Sequence, residues 1–354
     1  MRLWIALPPL QSTHLMDQRS LPLTPAALRK LRHALLTWYD EHRRELPWRS
    51  DAAPYRVWLS EIMLQQTRVA AVVDHYARFL QKFPTVQTLA AAREPSVLAV
   101  WSGLGYYHRA RRMHQAAKLI ARKRKGSFPR TAAEWRELPG IGRYTAAAIA
   151  SIAFGEAVAV VDGNVERVLD RMFGAAKGRE AAWQWAESLL DCGRPGDFNQ
   201  AMMELGATVC TPRAPQCPVC PLHDWCASRG ANTARSQSIR KRKQLTYGLA
   251  RKNGSVLLVQ RPADASLMAG MWELPALCDL NGNEPVARLR HAITDTNYDV
   301  SVFTVPTGKF HSLEVNARWF ARRQWERLPL TGLARKVLAA CPDESDRKSD
   351  ESKL

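Results

Sequence analysis

Residues 138–146 read Leu-Pro-Gly-Ile-Gly-Arg-Tyr-Thr-Ala and lead into the apolar run 147–153. Gly140 and Gly142 permit a tight turn whose backbone N–H groups point outward at the start of a helix. A DNA phosphate could bind there without any base being read, which makes Gly140, Gly142 and Arg143 candidate DNA-binding residues. The same turn is also an ordinary connection between two helices. Alone, this stretch predicts a helical hairpin and leaves its role open.

Two carboxylic acids lie in contrasting surroundings. Glu61 is inside the apolar helical run Trp58–Thr67, where loss of water should raise its pKa and keep part of it protonated near neutral pH. Asp162 opens another helix in a polar Asp-Gly-Asn turn, where backbone N–H donors are nearby, so we expect its carboxyl group to stay ionised. Cleavage of a glycosidic bond needs such a pair, one to activate the leaving base and one to stabilise the oxocarbenium-like sugar. Two alternatives stay open, Asp162 as a helix N-cap and Glu61 as a satisfied interfacial residue.

The cysteines are concentrated in one place. Four of the seven lie at the spacing Cys-x6-Cys-x2-Cys-x5-Cys, at Cys210, Cys217, Cys220 and Cys226. Thiolates this close together are ligands for zinc or for iron in a cluster. Zinc usually takes two matched Cys-x2-Cys pairs and only one is present, while four unligated thiols are a third alternative. The distribution predicts one metal site in a reducing compartment and argues against a disulfide framework.

Composition narrows the class of protein. The chain has 354 residues, of which 46% are hydrophobic, and 51 Lys and Arg against 33 Asp and Glu give a net charge of +18. This length predicts two domains, and the charge favours nucleic acid as the partner. Apolar runs are too short to span a bilayer and the N-terminus has no convincing cleavage site. We therefore expect a cytoplasmic protein with no membrane partner.

The pattern along the chain predicts two folded parts. After an N-terminal extension over 1–23, helical periodicity starts with Thr24 as N-cap and continues in segments, including one from Val57 to about Phe83, so 24–228 is predicted all-α. Residues 229–244 are predicted to be a basic linker. Strand-like alternation in Tyr247–Arg261 and Glu314–Trp319 predicts an α+β domain over 245–341. The charged stretch 342–354 is predicted to be a disordered tail.

A basic run crosses the helical part. His108–Lys125 carries eight Lys and Arg and no acid. Such a run could follow a nucleic-acid backbone, and it could equally be a solvated helix face. If these side chains bind DNA, affinity should fall steeply with salt.

Together with the hairpin and the cysteine spacing, five further motifs resemble the endonuclease III superfamily of helix-hairpin-helix DNA glycosylases, and within it the MutY family of adenine glycosylases. They are Leu46-Pro47-Trp48-Arg49, Pro54-Tyr55-x-Val57-Trp58-Leu59-Ser60-Glu61, Met63-Leu64-Gln65-Gln66-Thr67, Gly103-Leu104-Gly105-Tyr106-Tyr107 and Phe198-Asn199-Gln200-Ala201-Met202-Met203-Glu204-Leu205-Gly206. The resemblance covers about residues 25–228. It implies an all-α glycosylase core, a [4Fe–4S] cluster on the four cysteines, and base excision repair of duplex DNA with adenine opposite 8-oxoguanine or guanine. With it we expect a monomer associated with the bacterial nucleoid.

The resemblance also implies residue roles. Glu61 would protonate adenine at N7, and Asp162 would stabilise the sugar cation and any covalent intermediate. Tyr144 and Asn164 would assist them. The remaining implied roles are an adenine pocket lined by Trp48 and Arg49, and a wedge into the base stack made by Gln66 and Tyr106. Extruding a base costs a few kcal/mol, which inserted side chains help to offset.

One position predicts the type of glycosylase. In endonuclease III-like enzymes a Lys follows the Gly-x-Gly-x sequence and forms a Schiff base that leads to strand cleavage. Here that position is Tyr144. A phenol cannot form the imine, so we expect a glycosylase that removes the base and leaves the strand intact. The rival hypotheses are a bifunctional pyrimidine glycosylase with lyase activity and a catalytically silent lesion-binding protein.

The C-terminal part resembles the Nudix-like domain of the same family. The motifs are Gln260-Arg261-Pro262 and Leu267-Met268-Ala269-Gly270-Met271-Trp272-Glu273-Leu274-Pro275. The following stretch has only Asp279 and Glu284 and lacks the Glu-rich helix that holds Mg²⁺, so we expect no hydrolysis there. The family's lesion-contacting loop is best matched by residues 290–295, with Thr294 keeping a hydroxyl; residues 310–312 are the rival placement.

Overall fold

The computed structural model describes residues 23–174, 178–229, 241–265, 267–277, 284–293, 296–306 and 316–342. Several predictions of the sequence lie outside these residues: nearly all of the N-terminal extension, most of the linker, Thr294, the rival loop 310–312 and nearly all of the tail.

The first part of the chain is helical, as the periodicity predicts. Its helices are α1 (Pro25–His42), α2 (Pro54–Leu64), α3 (Val69–Lys82), α4 (Val86–Ala91), α5 (Glu94–Trp101), α6 (His108–Lys123), α7 (Ala132–Arg136), α8 (Arg143–Phe154), α9 (Gly163–Phe173), α10 (Arg179–Leu189) and α11 (Pro195–Thr208). Short 3₁₀ turns lie at Pro47–Arg49, Cys217–Val219 and His223–Trp225. Helix α1 begins as expected, because the Thr24 hydroxyl accepts the N–H of Ala27 at 3.2 Å.

Two hydrophobic cores hold these helices. One is built around Trp58, Trp101 and Trp135, which are fully buried, and joins α2 to α8. The other joins α1 to α9, α10 and α11. Burial of this much apolar surface is the main source of stability for a chain of this size. Helices α2, α8, α9 and α11 approach one another between the two cores, and the candidate site lies there.

The helical segment predicted from Val57 to about Phe83 is in fact broken. Helix α2 ends at Leu64 and α3 begins at Val69, and Gln66 between them has a φ of +57°. Left-handed backbone costs a non-glycine residue roughly 1–2 kcal/mol. The guanidinium of Arg109 stabilises the break, since its Nη1 donates to the carbonyl oxygens of Ile62 at 2.8 Å and Met63 at 3.0 Å. These are two of the four carbonyls that the end of a helix leaves unpaired.

A separate α/β region follows. Its elements are β1 (Lys241–Leu249), β2 (Arg251–Lys252), β3 (Ser255–Gln260), β4 (Trp272–Glu273), β5 (Ala287–Ile293), β6 (Thr296–Thr304), β7 (Ala317–Ala321), α12 (Arg322–Trp325) and α13 (Gly332–Ala340). One sheet has the order β1-β6-β5, with β1 parallel to β6 and β5 antiparallel to it; in the other, β3 pairs with β2, β4 and β7. Strand β1 starts at Lys241, inside the stretch assigned to the linker, because its pairing with the distant β6 extends it.

The two parts touch near the Gly103–Tyr107 motif. The Ser102 and Tyr107 hydroxyls donate to the carbonyl oxygen of Leu330, at 2.7 Å and 3.0 Å. Met271 of the α/β region is fully buried within the first helical core. Among the described residues, no helix is long and apolar enough to cross a membrane.

Candidate active site

Glu61 is buried in the wall of a cavity. It lies on α2 with 6% of its surface exposed, and its Oε2 accepts a 2.8 Å hydrogen bond from the Tyr144 hydroxyl. Loss of water, and to a smaller extent the negative charge of Asp162, raise the pKa of Glu61 to about 7, against the opposing effects of the Tyr144 hydrogen bond and the charge of Arg49. A large fraction of Glu61 therefore carries its proton at neutral pH.

Tyr144 occupies the second position of α8. Its hydroxyl lies 3.4 Å from the Met203 sulfur as well as donating to Glu61. Burial raises the pKa of Tyr144 well above 10, so the phenol keeps its proton. The hydrogen bond from Tyr144 engages Oε2 of Glu61 and leaves Oε1 as the other oxygen of the carboxyl group.

Asp162 caps the start of α9. Its Oδ1 accepts the N–H groups of Asn164 at 2.8 Å and Val165 at 2.7 Å, and its Oδ2 accepts the Asn164 amide at 3.2 Å. Burial raises the pKa of Asp162 above the ordinary aspartate value, which the polar turn in the sequence does not predict; the three hydrogen bonds counteract this effect. All three donors bind the ionised form. Asp162 is thus both an N-cap and a carboxylate beside Glu61.

Both carboxyl groups line one cavity of about 640 Å³, within the roughly 300–1,000 Å³ range of small-molecule sites. The predicted residues that share it are Trp48, Arg49, Glu61, Gln66, Gly142, Tyr144, Asp162 and Asn164. The predicted residues Tyr106, Gly140, Arg143 and the four cysteines are described but lie outside its lining.

Trp48 and Arg49 are placed on the cavity wall by the 3₁₀ turn. The Trp48 ring is 7% exposed and packs edge-on against Tyr76, with ring centroids 5.4 Å apart. Arg49 is held by the carboxylate of Glu204 at 2.9 Å and donates to the carbonyl oxygen of Arg44 at 3.1 Å. Their side chains have fixed positions before any ligand enters.

The hairpin has the predicted turn, with one difference. Gly140 has a φ of +82°, and a Cβ there would lie 2.6 Å from the Cβ of Arg112 on α6, so this position requires glycine. Gly142 is the N-cap of α8, which leaves the first N–H groups of that helix open to an anion. Arg143 is not a free cation: it pairs with Glu180 at 3.0 Å and Glu187 at 3.1 Å.

The four cysteines line a second, smaller cavity together with Arg171. Arg171 is 3% exposed, and its Nη1 lies 3.2 Å from the Cys210 sulfur. Burial raises the pKa of the Cys220 thiol to about 11. Within the described ranges, no three His, Cys, Asp or Glu side chains converge closely enough to hold a single metal ion.

Comparison with known proteins identifies the family. A family described as HhH-GPD superfamily base excision DNA repair protein matches residues 59–189. A solved structure of a thermostable thymine-DNA glycosylase is 30% identical, with a TM-score of 0.54, and the match covers 57% of this chain and 96% of that one. The chain belongs to the HhH-GPD superfamily of base excision DNA repair proteins.

Within the HhH-GPD superfamily, curated adenine DNA glycosylases are similar to this chain. That of Homo sapiens is 49% identical over 219 residues, which cover 58% of this chain and 40% of the relative. That of Mus musculus is 41% identical over 310 residues, which cover 70% of this chain and 60% of the relative. The chain thus spans about half the length of the curated relatives it matches.

The sequence analysis of this HhH-GPD chain did not predict two side chains that support the site. Glu204 is 1% exposed and accepts from both Arg44 and Arg49. Burial alone would raise the pKa of Glu204, but the hydrogen bonds from the two arginines lower it to about 2, so it stays ionised and orients Arg49. Arg109 is the other. It is one of eight basic residues in the run His108–Lys125, which suggests a solvated or DNA-facing helix surface, so the sequence does not indicate that its side chain is buried.

Proposed function

We propose that this protein is a monofunctional DNA glycosylase that removes adenine paired with 8-oxoguanine or guanine by hydrolysing its N-glycosidic bond. The observation that carries the proposal is the shared cavity of Glu61 and Asp162, in which Glu61 has a pKa of about 7. Adenine as the base is supported by the similarity to curated adenine glycosylases. Duplex DNA as the partner is supported by the net charge of +18.

Glu61 is the proton donor in this mechanism. Its carboxyl proton passes to N7 of the extruded adenine, which makes the base a better leaving group as the bond between C1′ and N9 breaks. The bonding electrons leave with the base and the sugar becomes an oxocarbenium-like cation. The hydrogen bond from Tyr144 holds the carboxyl group in one orientation.

Asp162 stabilises the positive charge that develops on the sugar. Its Oδ1 is occupied by two backbone N–H groups, so Oδ2 is the oxygen available to face the sugar, with the Asn164 amide fixing its position. Water then adds to C1′ and loses a proton, which completes hydrolysis and leaves an abasic site. Trp48 and Arg49 form the wall against which the adenine would lie.

We propose that Cys210, Cys217, Cys220 and Cys226 hold a [4Fe–4S] cluster. The four cysteines line one cavity of their own, and only one Cys-x2-Cys pair is present where a structural zinc site usually has two, which favours a cluster over one zinc. The Arg171 guanidinium lies beside the Cys210 sulfur, where its positive charge would offset part of the negative charge of coordinated thiolates. The cluster would supply structural order to loop 210–226 and take no part in base removal.

The organisation into domains is part of the same proposal. The helical domain over 24–228 would carry the chemistry, and a Nudix-like domain would inspect the base opposite adenine, with Thr294 as its candidate contact. The separate α/β region and its contact through Leu330 with the Gly103–Tyr107 motif support this arrangement. A structured second region beside that motif is what lesion inspection would need.

A gel assay with synthetic duplexes tests the function. We expect strand cleavage only after alkali treatment, and only at adenine opposite 8-oxoguanine or guanine, because the phenol of Tyr144 cannot form the imine that a lyase needs. Duplexes with thymine opposite guanine serve as the control for a pyrimidine glycosylase. Cleavage without alkali together with a strong borohydride-trapped adduct would show a lyase, and binding without any base loss would show a silent lesion-binding protein.

A further inference from the structure

One buried side chain joins two segments that the sequence keeps far apart. Arg109 on α6 is 5% exposed. Its Nη1 donates to the carbonyl oxygens of Ile62, Met63 and Gln65 at the end of α2. Its Nη2 donates to the Thr67 hydroxyl at 3.1 Å and to the carbonyl oxygens of Leu104 at 3.4 Å and Gly105 at 3.3 Å. The guanidinium therefore bridges segment 62–67 and segment 104–105.

The two residues predicted to wedge into DNA lie at these contacts. Gln66 stands between Gln65 and Thr67, and Tyr106 directly follows Gly105. Both have left-handed backbone, with φ of +57° and +48°, a conformation that L side chains avoid unless surrounding contacts impose it. The Arg109 guanidinium also lies 5.3 Å from the centroid of the Tyr106 ring.

The environment of Arg109 indicates that it acts through the directions of its hydrogen-bond donors and not through an ion pair. It forms no ion pair with an Asp or Glu of the described residues; its charge is surrounded by carbonyl oxygens, one hydroxyl and the rings of Trp101 and Tyr106. A planar guanidinium with donors in fixed directions can reach acceptors on both sides at once, whereas the ammonium of lysine is a single point with three donors. The arrangement therefore depends on arginine and not only on positive charge.

We propose that Arg109 is a positioning residue that fixes the backbones at Gln66 and Tyr106 relative to each other, so that their side chains enter the duplex as one preformed wedge. The role in DNA rests on the proposed function. The linkage of the two segments does not, since it is a property of the free protein.

Hydrogen exchange of the DNA-free, full-length protein tests the linkage. In Arg109→Lys we expect amides in 64–68 and in 102–107 to exchange about tenfold faster or more, both together, because local opening is no longer held by the shared guanidinium. The matched control is Arg32→Lys: Arg32 also donates to the last carbonyls of a helix, Leu189 at 2.8 Å and Ser188 at 3.3 Å, but these hydrogen bonds reach neither of the two segments. Faster exchange in neither segment, or in only one, would overturn the proposal.

A second variant covers the case in which Arg109→Lys does not fold. Thr67→Val removes one acceptor of Nη2 and keeps the size of the side chain. Because Nη2 also serves Leu104 and Gly105, we expect faster exchange in 102–107 as well as in 64–68. A change confined to 64–68 would contradict the proposal that one guanidinium links the two segments.

Base extrusion tests the consequence in DNA. In a Glu61→Gln background, which removes the proton donor, a duplex with the fluorescent adenine analogue 2-aminopurine opposite guanine reports unstacking. Adding Arg109→Lys should reduce the extruded fraction about tenfold; an unchanged fraction would contradict the wedge. If the Glu61→Gln parent itself gives no signal, the proposed function fails, and the exchange experiment still decides the linkage.

The pH profile of base release is a further test, with Glu61 present. Arg109→Lys should lower the rate of base release but leave the pH midpoint at its wild-type value, because Glu61 is not altered.

Discussion

Replacing Glu61 with glutamine is expected to slow adenine release in a single turnover by roughly 10²–10⁴-fold, the range typical of a lost general acid. Glutamine has nearly the same size, and its carbonyl oxygen can accept the Tyr144 hydrogen bond that Oε2 of Glu61 accepts at 2.8 Å. It cannot donate a proton of suitable acidity to N7. The loss should therefore appear in the chemical step and not in the fold.

Binding of the mismatched duplex separates this loss from a loss of affinity. The Glu61→Gln protein should bind adenine opposite 8-oxoguanine as tightly as the wild type at the same salt concentration, since phosphate contacts dominate affinity. Glu41→Gln is the matched control, because Glu41 is an exposed acid near the end of α1. Turnover by Glu61→Gln at the wild-type rate would refute the assignment of Glu61 as the acid.

Asp162→Asn is expected to lower the same rate constant by about 10²–10³-fold, the magnitude seen when a preorganised electrostatic contact to the transition state is removed. Asparagine is as good an N-cap as aspartate, so the hydrogen bonds from the N–H groups of Asn164 and Val165 should persist. What is lost is the negative charge beside the sugar cation, together with the hydrogen bond that Oδ2 accepts from the Asn164 amide. The melting temperature should change little.

A second aspartate that accepts two backbone N–H groups provides the control for this variant. Asp191 accepts the N–H groups of Gly193 and Arg194, both at 2.9 Å, in the same kind of turn but outside the cavity lining. Asp191→Asn should leave base release unchanged. Equal losses in the two variants would show that the effect of Asp162→Asn comes from altered hydrogen bonds to the backbone and not from charge at the site.

The surroundings of the two carboxyl groups were largely predictable because they depend on local sequence. An apolar helical run around Glu61 predicts desolvation, and the structure gives the acid a pKa of about 7. The Asp-Gly-Asn turn predicts the N-cap at Asp162, and its N–H donors are found. The burial that raises the pKa of Asp162 comes from other helices, so the turn alone could not show it.

Features that depend on distant partners were not predictable. The break between α2 and α3 needs Arg109, which follows Gln66 by more than forty residues in the chain. Arg143 has the sequence context of a phosphate ligand, but acids on α10 pair with it. Strand β1 extends back to Lys241 through pairing with β6. In each case the deciding contact joins segments between which the sequence gives no local signal.

The pH dependence of the single-turnover rate of adenine release tests the central claim most directly, because that claim is that a buried Glu61 carries the proton that the base receives. With enzyme in excess and salt held constant, the wild-type rate constant should fall about tenfold per pH unit above a midpoint near 7, as Glu61 loses its proton. The residual rate of Glu61→Gln should lack this fall. A wild-type rate constant that is unchanged from pH 6 to pH 9, or an identical fall in the Glu61→Gln protein, would contradict it.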